Sequence, residues 1–248
     1  MRPSPVTLPQ LSVVIPCRNE ADNLPLLLDE IDAAMAGRSY EIIVVDDGST
    51  DGTGAVLQAR IAAGAAHLRH VGHDRSAGQS AALRSGMLAA HGSVILSLDG
   101  DGQNDPAYLP QLADALAAGG ARAGIVAGQR LKRTDTKLKQ WSSRFANGLR
   151  QAILQDNTRD SGCGLKAVPT DLFRRLPYFD GWHRYLPALV AREGYSILHI
   201  DVVDRSRRHG KSNYGILDRG LRGVLDLFGV WWLRRRRKIV PVATERRP

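Results

Sequence analysis

Cysteine is scarce: only Cys17 and Cys163 occur, far apart and in no metal-ligand spacing. That excludes a disulfide framework and a zinc site, and it suits a reducing compartment. The opening stretch MRPSPVTLPQ has no apolar core, so no signal peptide is expected. No apolar run approaches the roughly 18 residues that cross a bilayer. The longest, GVLDLFGVWWL at 223–233, is too short and carries Asp226. Linkers, repeats and low-complexity stretches are also missing. The 248 residues, 43% hydrophobic and 24% charged, are enough to bury a sizeable core. The expectation is one domain over residues 1–214, followed by a basic amphipathic helix and tail over 215–248.

Charge is unevenly placed. The formal net charge is +9, yet residues 205–248 alone hold 13 Lys and Arg against 3 Asp and Glu. The first 204 residues are close to neutral, so the basic character belongs to the tail and needs a local explanation.

The first half alternates short β-branched runs with helical periodicity. LSVVIP (11–16), YEIIVVDD (40–47), AHLRHV (66–71), SVILSLD (93–99) and AGIVAGQR (123–130) read as strands. Between them, 23–35, 49–63, 78–91 and 105–119 read as helices, the first with Asn23 as N-cap. Continuous apolar strands alternating with helices predict an α/β fold, a mostly parallel sheet covered on both faces. The second half is less regular. It offers a helix at 141–155, a segment RDSGCGLKAV (159–168), a helix at 182–194, a strand at 195–203 and a basic loop DRSRRHGKSNYG (204–215).

Two strand ends are acidic. VILSLDGDGQNDP (94–106) places Asp99 and Asp101 two residues apart beside Gly100 and Gly102. In extended chain, side chains at i and i+2 point the same way, so both carboxylates can meet one cation. Oxygen donors suit Mg²⁺ or Mn²⁺, usually shared with substrate phosphates, and Gln103 adds a neutral oxygen. The alternative is that both are turn formers before Pro106. VVDDGSTD (44–51) ends the second strand with Asp46 and Asp47. Helix capping accounts for Ser49 or Asp51, but less easily for two carboxylates at a buried strand end. IPCRNE (15–20) ends the first strand, with Glu20 either facing a ligand or serving as a first-turn acid.

In the same order, SVVIPCRNEADNL, EIIVVDDGSTDGT, LDGDGQNDP, DSGCGLKA, HRYLPALVAREGY and RRHGKSNYG resemble the motifs of family 2 glycosyltransferases. The specific resemblance is to the polyprenol-phosphate (dolichol-phosphate) mannosyltransferase group, from about Leu11 to Tyr214. It implies a GT-A fold, Rossmann-like, with a nucleotide-sugar donor, a divalent metal and inverting transfer. By motif, Pro16, Arg18 and Glu20 border the nucleotide, Asp47 lies near the base or ribose, and Asp99 near the ribose or sugar. Asp101 and Gln103 ligate the metal. Arg18 stands where the group often has Tyr, and a guanidinium plane stacks as well. Gln79 and Ser80 replace a more usual Lys-Gly pair.

A lipid-phosphate acceptor needs no general base, because a phosphate monoester is mostly dianionic at neutral pH. Two anions must instead be brought together, which calls for cations. Arg130, Arg205, Arg207, Arg208 and Lys211 are the candidates, Arg130 and Arg207 with a catalytic role beside Asp99 and Asp101. Asp160 is the base if the acceptor is a hydroxyl, or else a loop-fixing residue. His183 faces the acceptor or packs beside Trp182, and Cys163 is a small buried residue.

The expected function is transfer of mannose from GDP-mannose to a polyprenyl phosphate. The protein is expected in the cytoplasm, bound peripherally to the inner membrane face through Trp and Arg of 214–238. An integral-membrane partner subunit is a further expectation. The alternatives are a UDP-sugar donor (glucose or N-acetylglucosamine) with a lipid-phosphate or glycan-hydroxyl acceptor, or a basic nucleic-acid-binding protein. The last is disfavoured by acidic strand ends and the lack of a reading motif.

Overall fold

β-branched and leucine-rich runs form inner strands buried along nearly their whole length, because helices cover both sides of the sheet, while the two edge strands are only partly buried. The computed structural model describes residues 8–131, 148, 150–206, 216–238 and 244, with the side chains of 216–222 left out. The strands are β1 Leu11–Cys17, β2 Tyr40–Asp46, β3 Leu68–Gly72, β4 Val94–Ser97, β5 Ala123–Arg130, β6 Lys166–Pro169 and β7 Ser196–Val202. The helices are α1 Leu24–Ala34, α2 Thr53–Ala62, α3 Gln79–Ala89, α4 Tyr108–Ala118, α5 Thr170–Arg175, α6 Leu186–Arg192 and α7 Ile216–Arg235. Residues 148 and 150–154, within the helix expected at 141–155, are helical.

The seven strands form one sheet in the order β3-β2-β1-β4-β6-β5-β7. All run parallel except β6, which is antiparallel to β4 and β5. The sequence left 159–168 unassigned. A four-residue strand that begins at Lys166 shows no period-2 signal, and its edges are set by the neighbours it joins. Asn23 occupies the N-cap position of α1, as expected, but its side chain makes no capping hydrogen bond; its amide donates instead to Glu20 Oε2 at 2.6 Å.

Register aligns the functional rim. β1 pairs with β2 so that Cys17 stands beside Asp46, and Asp47 N–H continues the ladder to the Cys17 carbonyl at 2.9 Å. β4 pairs with β6 so that Ser97 faces Lys166. The carboxyl ends of β1, β2 and β4 and the amino end of β6 therefore meet on one edge, where parallel sheets bind ligands.

One core layer joins Val13, Ile15 and Val44 to the inner faces of α1 and α4. The opposite layer joins Val14, Ile43 and Val45 to α3, α6 and two residues of α7, Leu227 and Val230. Helix α3 lies so close to the sheet that a Cβ on Gly86 would sit 2.4 Å from Val14 Cγ1 and 2.9 Å from Val45 Cγ2.

Gly86→Ala is therefore expected to destabilise by about 1–3 kcal/mol through overpacking. That outweighs the helix-propensity gain of up to about 1 kcal/mol. Gly229→Ala, at an exposed helical position with nothing within 4 Å of the added carbon, is expected to stabilise. Denaturant unfolding of both variants distinguishes packing from propensity.

Candidate active site

The turns after β1 and β2 are locked together by short polar side chains. Asn19, in the left-handed region at φ 57°, donates its N–H to Ser49 Oγ at 2.9 Å and accepts Thr50 N–H at 2.8 Å. Glu20 N–H reaches Thr53 Oγ1 at 2.9 Å, and Ala21 N–H reaches Asp51 Oδ2 at 3.2 Å. Ser49 and Asp51 thus act as turn and cap residues. Gly48 has φ 64°, and a Cβ there would lie 2.6 Å from Ser76 N. Only glycine lets the 75–76 backbone approach this turn.

Asp47 fixes that neighbouring loop. Its carboxylate accepts Ala77 N–H and Gly78 N–H at 2.8 Å each and the Ser76 hydroxyl and His73 Nδ1–H at 2.7 Å each. Burial alone raises its pKa, but these four donors outweigh it and hold the carboxylate below its ordinary value. His73 passes the contact on to Ser85 through Nε2 at 2.8 Å. Asp46 accepts Ser49 N–H at 2.9 Å.

Asp99 is in a different position. Its N–H donates to Asn104 Oδ1 at 3.0 Å, and its Oδ1 accepts the Gln79 amide at 2.7 Å. Burial, followed by the neighbouring charge of Asp101, pushes its carboxyl up to about 6, with Lys166 and Arg130 pulling the other way. Segment 160–165 closes over it: a Cβ on Gly164 would stand 2.7 Å from Asp99 Cγ. Two carboxylates at close quarters are an electrostatic deficit that a divalent cation relieves. The oxygen donors Asp99, Asp101 and Gln103 suit such an ion. Among the described residues no group of three or more His, Cys, Asp and Glu could hold a metal.

A second charge layer lies beside the first. Arg130, at the end of β5, forks onto both oxygens of Asp160 and reaches Asp204 Oδ2 at 3.2 Å. Asp204, just beyond β7, also accepts the Asn104 amide at 3.3 Å. Lys166 is buried and donates to the Cys163 carbonyl, and burial lowers its pKa. Burial raises the Cys163 thiol to about 11 and raises Cys17 as well, so both thiols stay protonated at neutral pH.

The first turn of α3 joins this site to the 181–183 turn. Ser80 Oγ accepts Gly181 N–H at 2.9 Å and lies 2.6 Å from His183 Nδ1, while the Ser80 carbonyl accepts the Trp182 indole at 3.1 Å. Burial lowers His183 to about 3. Its imidazole is neutral at working pH and supplies no charge to a phosphate.

The structure brings Asp99, Asp101, Gln103 and Arg130 together. Arg205 N–H joins the same loop through the Gln103 carbonyl at 2.8 Å, but its guanidinium pairs with Glu30 at 2.6 Å and Asp105 at 2.7 Å. Pro16 lies within β1, beside Val45, Arg18 is exposed in the turn that follows, and Glu20 holds Asn23. Arg207, Arg208 and Lys211 lie outside the described residues. Sequence reasoning missed roles for Gln79, Asn104, Lys166 and Asp204. The signal for Asp204 was present, since HIDVVD ends a strand in a carboxylate as VVDD and LSLD do.

A model described as glycosyl transferase family 2 matches residues 12–177. A dodecaprenyl-phosphate galacturonate synthase of Rhizobium johnstonii is 33% identical over 93% of this chain and 69% of its own length. An undecaprenyl-phosphate 4-deoxy-4-formamido-L-arabinose transferase of Edwardsiella ictaluri is 32% identical over 85% of this chain and 65% of its own. The chain thus spans about two thirds of the length of these relatives. Among solved structures, Mycobacterium tuberculosis glucosyl-3-phosphoglycerate synthase, with Mn²⁺, uridine diphosphate and glucosyl-3-phosphoglycerate, aligns at TM-score 0.67 and 21% identity. That alignment covers 91% of this chain and 80% of that one. A Pyrobaculum calidifontis mannosyltransferase with GDP-Man and Mn²⁺ aligns at 0.65 and 22%, covering 96% and 68%. These likenesses show the GT-A fold.

Asp47→Ala is expected to cost roughly 1–3 kcal/mol, because the 73–78 loop loses four part-buried hydrogen bonds to a charged acceptor. Asp47 is held below the ordinary value of 3.8, so its contribution is present above that pH and is lost as pH falls through the lower folded-state value. Melting curves of wild type and variant should differ most near neutrality and converge in acid.

Proposed function

The chain belongs to glycosyl transferase family 2, and we propose that it moves a sugar from a nucleotide-sugar to the phosphate of a polyprenyl phosphate, with inversion. The observation that carries the acceptor is the state of Asp160. It is the best candidate base the sequence offers for a hydroxyl acceptor, and both its oxygens are held by Arg130. A hydroxyl acceptor needs a base, whereas a phosphate dianion attacks unaided. The names of the curated relatives support the same reading.

Asp101 and Gln103 would hold Mg²⁺ or Mn²⁺ on the donor diphosphate, where the ion would offset the charge that develops on the leaving group. Asp99, pinned on one oxygen by Gln79, orients the donor sugar or ribose. The turn formed by Pro16, Arg18 and Glu20, braced against 49–53, borders the nucleotide, and Asp47 shapes the adjoining 73–78 loop. Arg130 holds Asp160 and Asp204 in place at the rim and offsets part of their charge. The basic loop with Arg207, Arg208 and Lys211 receives the acceptor phosphate. Positioning and electrostatic complementarity then supply the rate. The finer proposal, mannose from GDP-mannose, rests on the motif resemblance, while the curated relatives named above are named for other sugars.

Asp101→Ala is expected to lower turnover by roughly two orders of magnitude or more with little change in melting temperature, and chelation by EDTA should do the same. Full turnover in EDTA removes the metal from the reading. Competition between GDP-mannose and UDP-sugars decides the donor. Transfer to a glycan hydroxyl but not to a polyprenyl phosphate overturns the acceptor.

A further inference from the structure

We propose that the outward face of α7 is a docking surface for a lipid bilayer rich in anionic headgroups, an inference that rests on the polyprenyl phosphate reading. The helix has two described faces. Leu227 and Val230 are buried in the core layer shared with α6. On the other side Val224, Leu225, Phe228 and Trp232 are 45%, 65%, 56% and 55% exposed. Their spacing makes one stripe along the helix. Beyond it the exposed positions are Arg235, Arg236 and Lys238. Among the described side chains of 223–238, no exposed position is acidic; Asp226 turns toward Gly181 instead.

The orientation of this stripe is fixed. Tyr185 donates its hydroxyl to the Gly223 carbonyl at 3.0 Å, Arg192 Nε donates to the Leu233 carbonyl at 3.0 Å, and Arg237 donates to the Glu193 carbonyl at 2.8 Å. The Arg235 guanidinium lies over the Trp231 ring, 4.7 Å from its centroid. Aromatic and aliphatic side chains followed by cations match the order met on leaving an acyl layer for an anionic headgroup layer. A second copy of the chain fits poorly. Four apolar side chains fall short of the roughly 1,200 Å² a stable dimer buries.

Helix α7 is also connected to the reaction centre. Asp226 abuts Gly181, Gly181 N–H donates to Ser80, and the adjacent Gln79 holds Asp99. The same helix that carries the stripe is therefore braced against the 181–183 turn, which holds the first turn of α3 and, through Gln79, Asp99.

Co-sedimentation of the full chain with phosphatidylcholine vesicles, with and without phosphatidylglycerol, tests this. The expected result is salt-sensitive binding to the anionic vesicles. It should weaken about ten-fold or more in Phe228→Ser/Trp232→Ser, and roughly five-fold per charge removed in Arg235→Ser/Arg236→Ser. Turnover of a short water-soluble polyprenyl phosphate analogue should be unchanged in both variants. Absence of vesicle binding by the wild type, or equal binding by all three proteins, overturns the proposal. So does a wild-type dimer that Phe228→Ser/Trp232→Ser dissociates. Vesicle binding that follows the expected pattern without any transfer to polyprenyl phosphate upholds this face and instead overturns the acceptor reading.

Discussion

A carboxylate at the end of a buried strand must find compensation, and three strand ends here carry one. Each is solved differently. Asp47, after β2, is surrounded by four donors from a neighbouring loop and becomes a structural anion. Asp204, after β7, shares Arg130 with Asp160. Asp99, after β4, receives one amide and faces Asp101, so its carboxyl rises to about 6. The shortfall is concentrated at one point of an otherwise compensated rim, and ligand charge has the most to contribute at that point.

Lys166 ties this arrangement to the fold. Strand β6 runs against its neighbours, so its first residue lies at the rim instead of its last. It brings a cation to an edge where the parallel strands bring anions. Its buried ammonium is held by the Cys163 carbonyl and lies close enough to Asp99 to lower that group's pKa. Replacing β6 with a parallel strand would place the 163–166 segment at the opposite end of the sheet. Asp99 would then lose both this cation and the cover of Gly164.

The parallel half of the fold was legible because burial on both faces leaves few residue choices. AGIVAGQR matches β5 residue for residue, and LSVVIP and YEIIVVDD miss their strands by one residue. Strand β6 was not legible, since nothing local marks a strand four residues long with Lys166 at its start. Asp99 and Asp101 are legible as neighbours because only Gly100 separates them in the chain. The cations were harder to read, because counting charges does not reveal pairs. Arg130 and Arg205 looked available to phosphates, yet they are held by Asp160, Asp204, Glu30 and Asp105, residues as distant as 175 positions along the chain. Sequence locates an anion at a strand end by periodicity, but it cannot assign a cation to one of several carboxylates.

The two residues that depart from the resembled motif, Gln79 and Ser80, show what local pattern conceals. They are consecutive in the first turn of α3, so their side chains leave the helix about 100° apart. Gln79 reaches Asp99 at the donor side. Ser80 reaches Gly181 and His183 in the turn on which α7 rests. A lysine and a glycine in these places would supply a charge and a bare backbone. Here two neutral hydrogen-bonding side chains join two parts of the site through one rigid helix end. The helix is pressed against the sheet at Gly86 with no room to slide. The helix end is thus fixed from below by packing and on either side by hydrogen bonds. Whatever sets the position of the 181–183 turn therefore also sets the position of Gln79, and with it the oxygen of Asp99 that Gln79 holds.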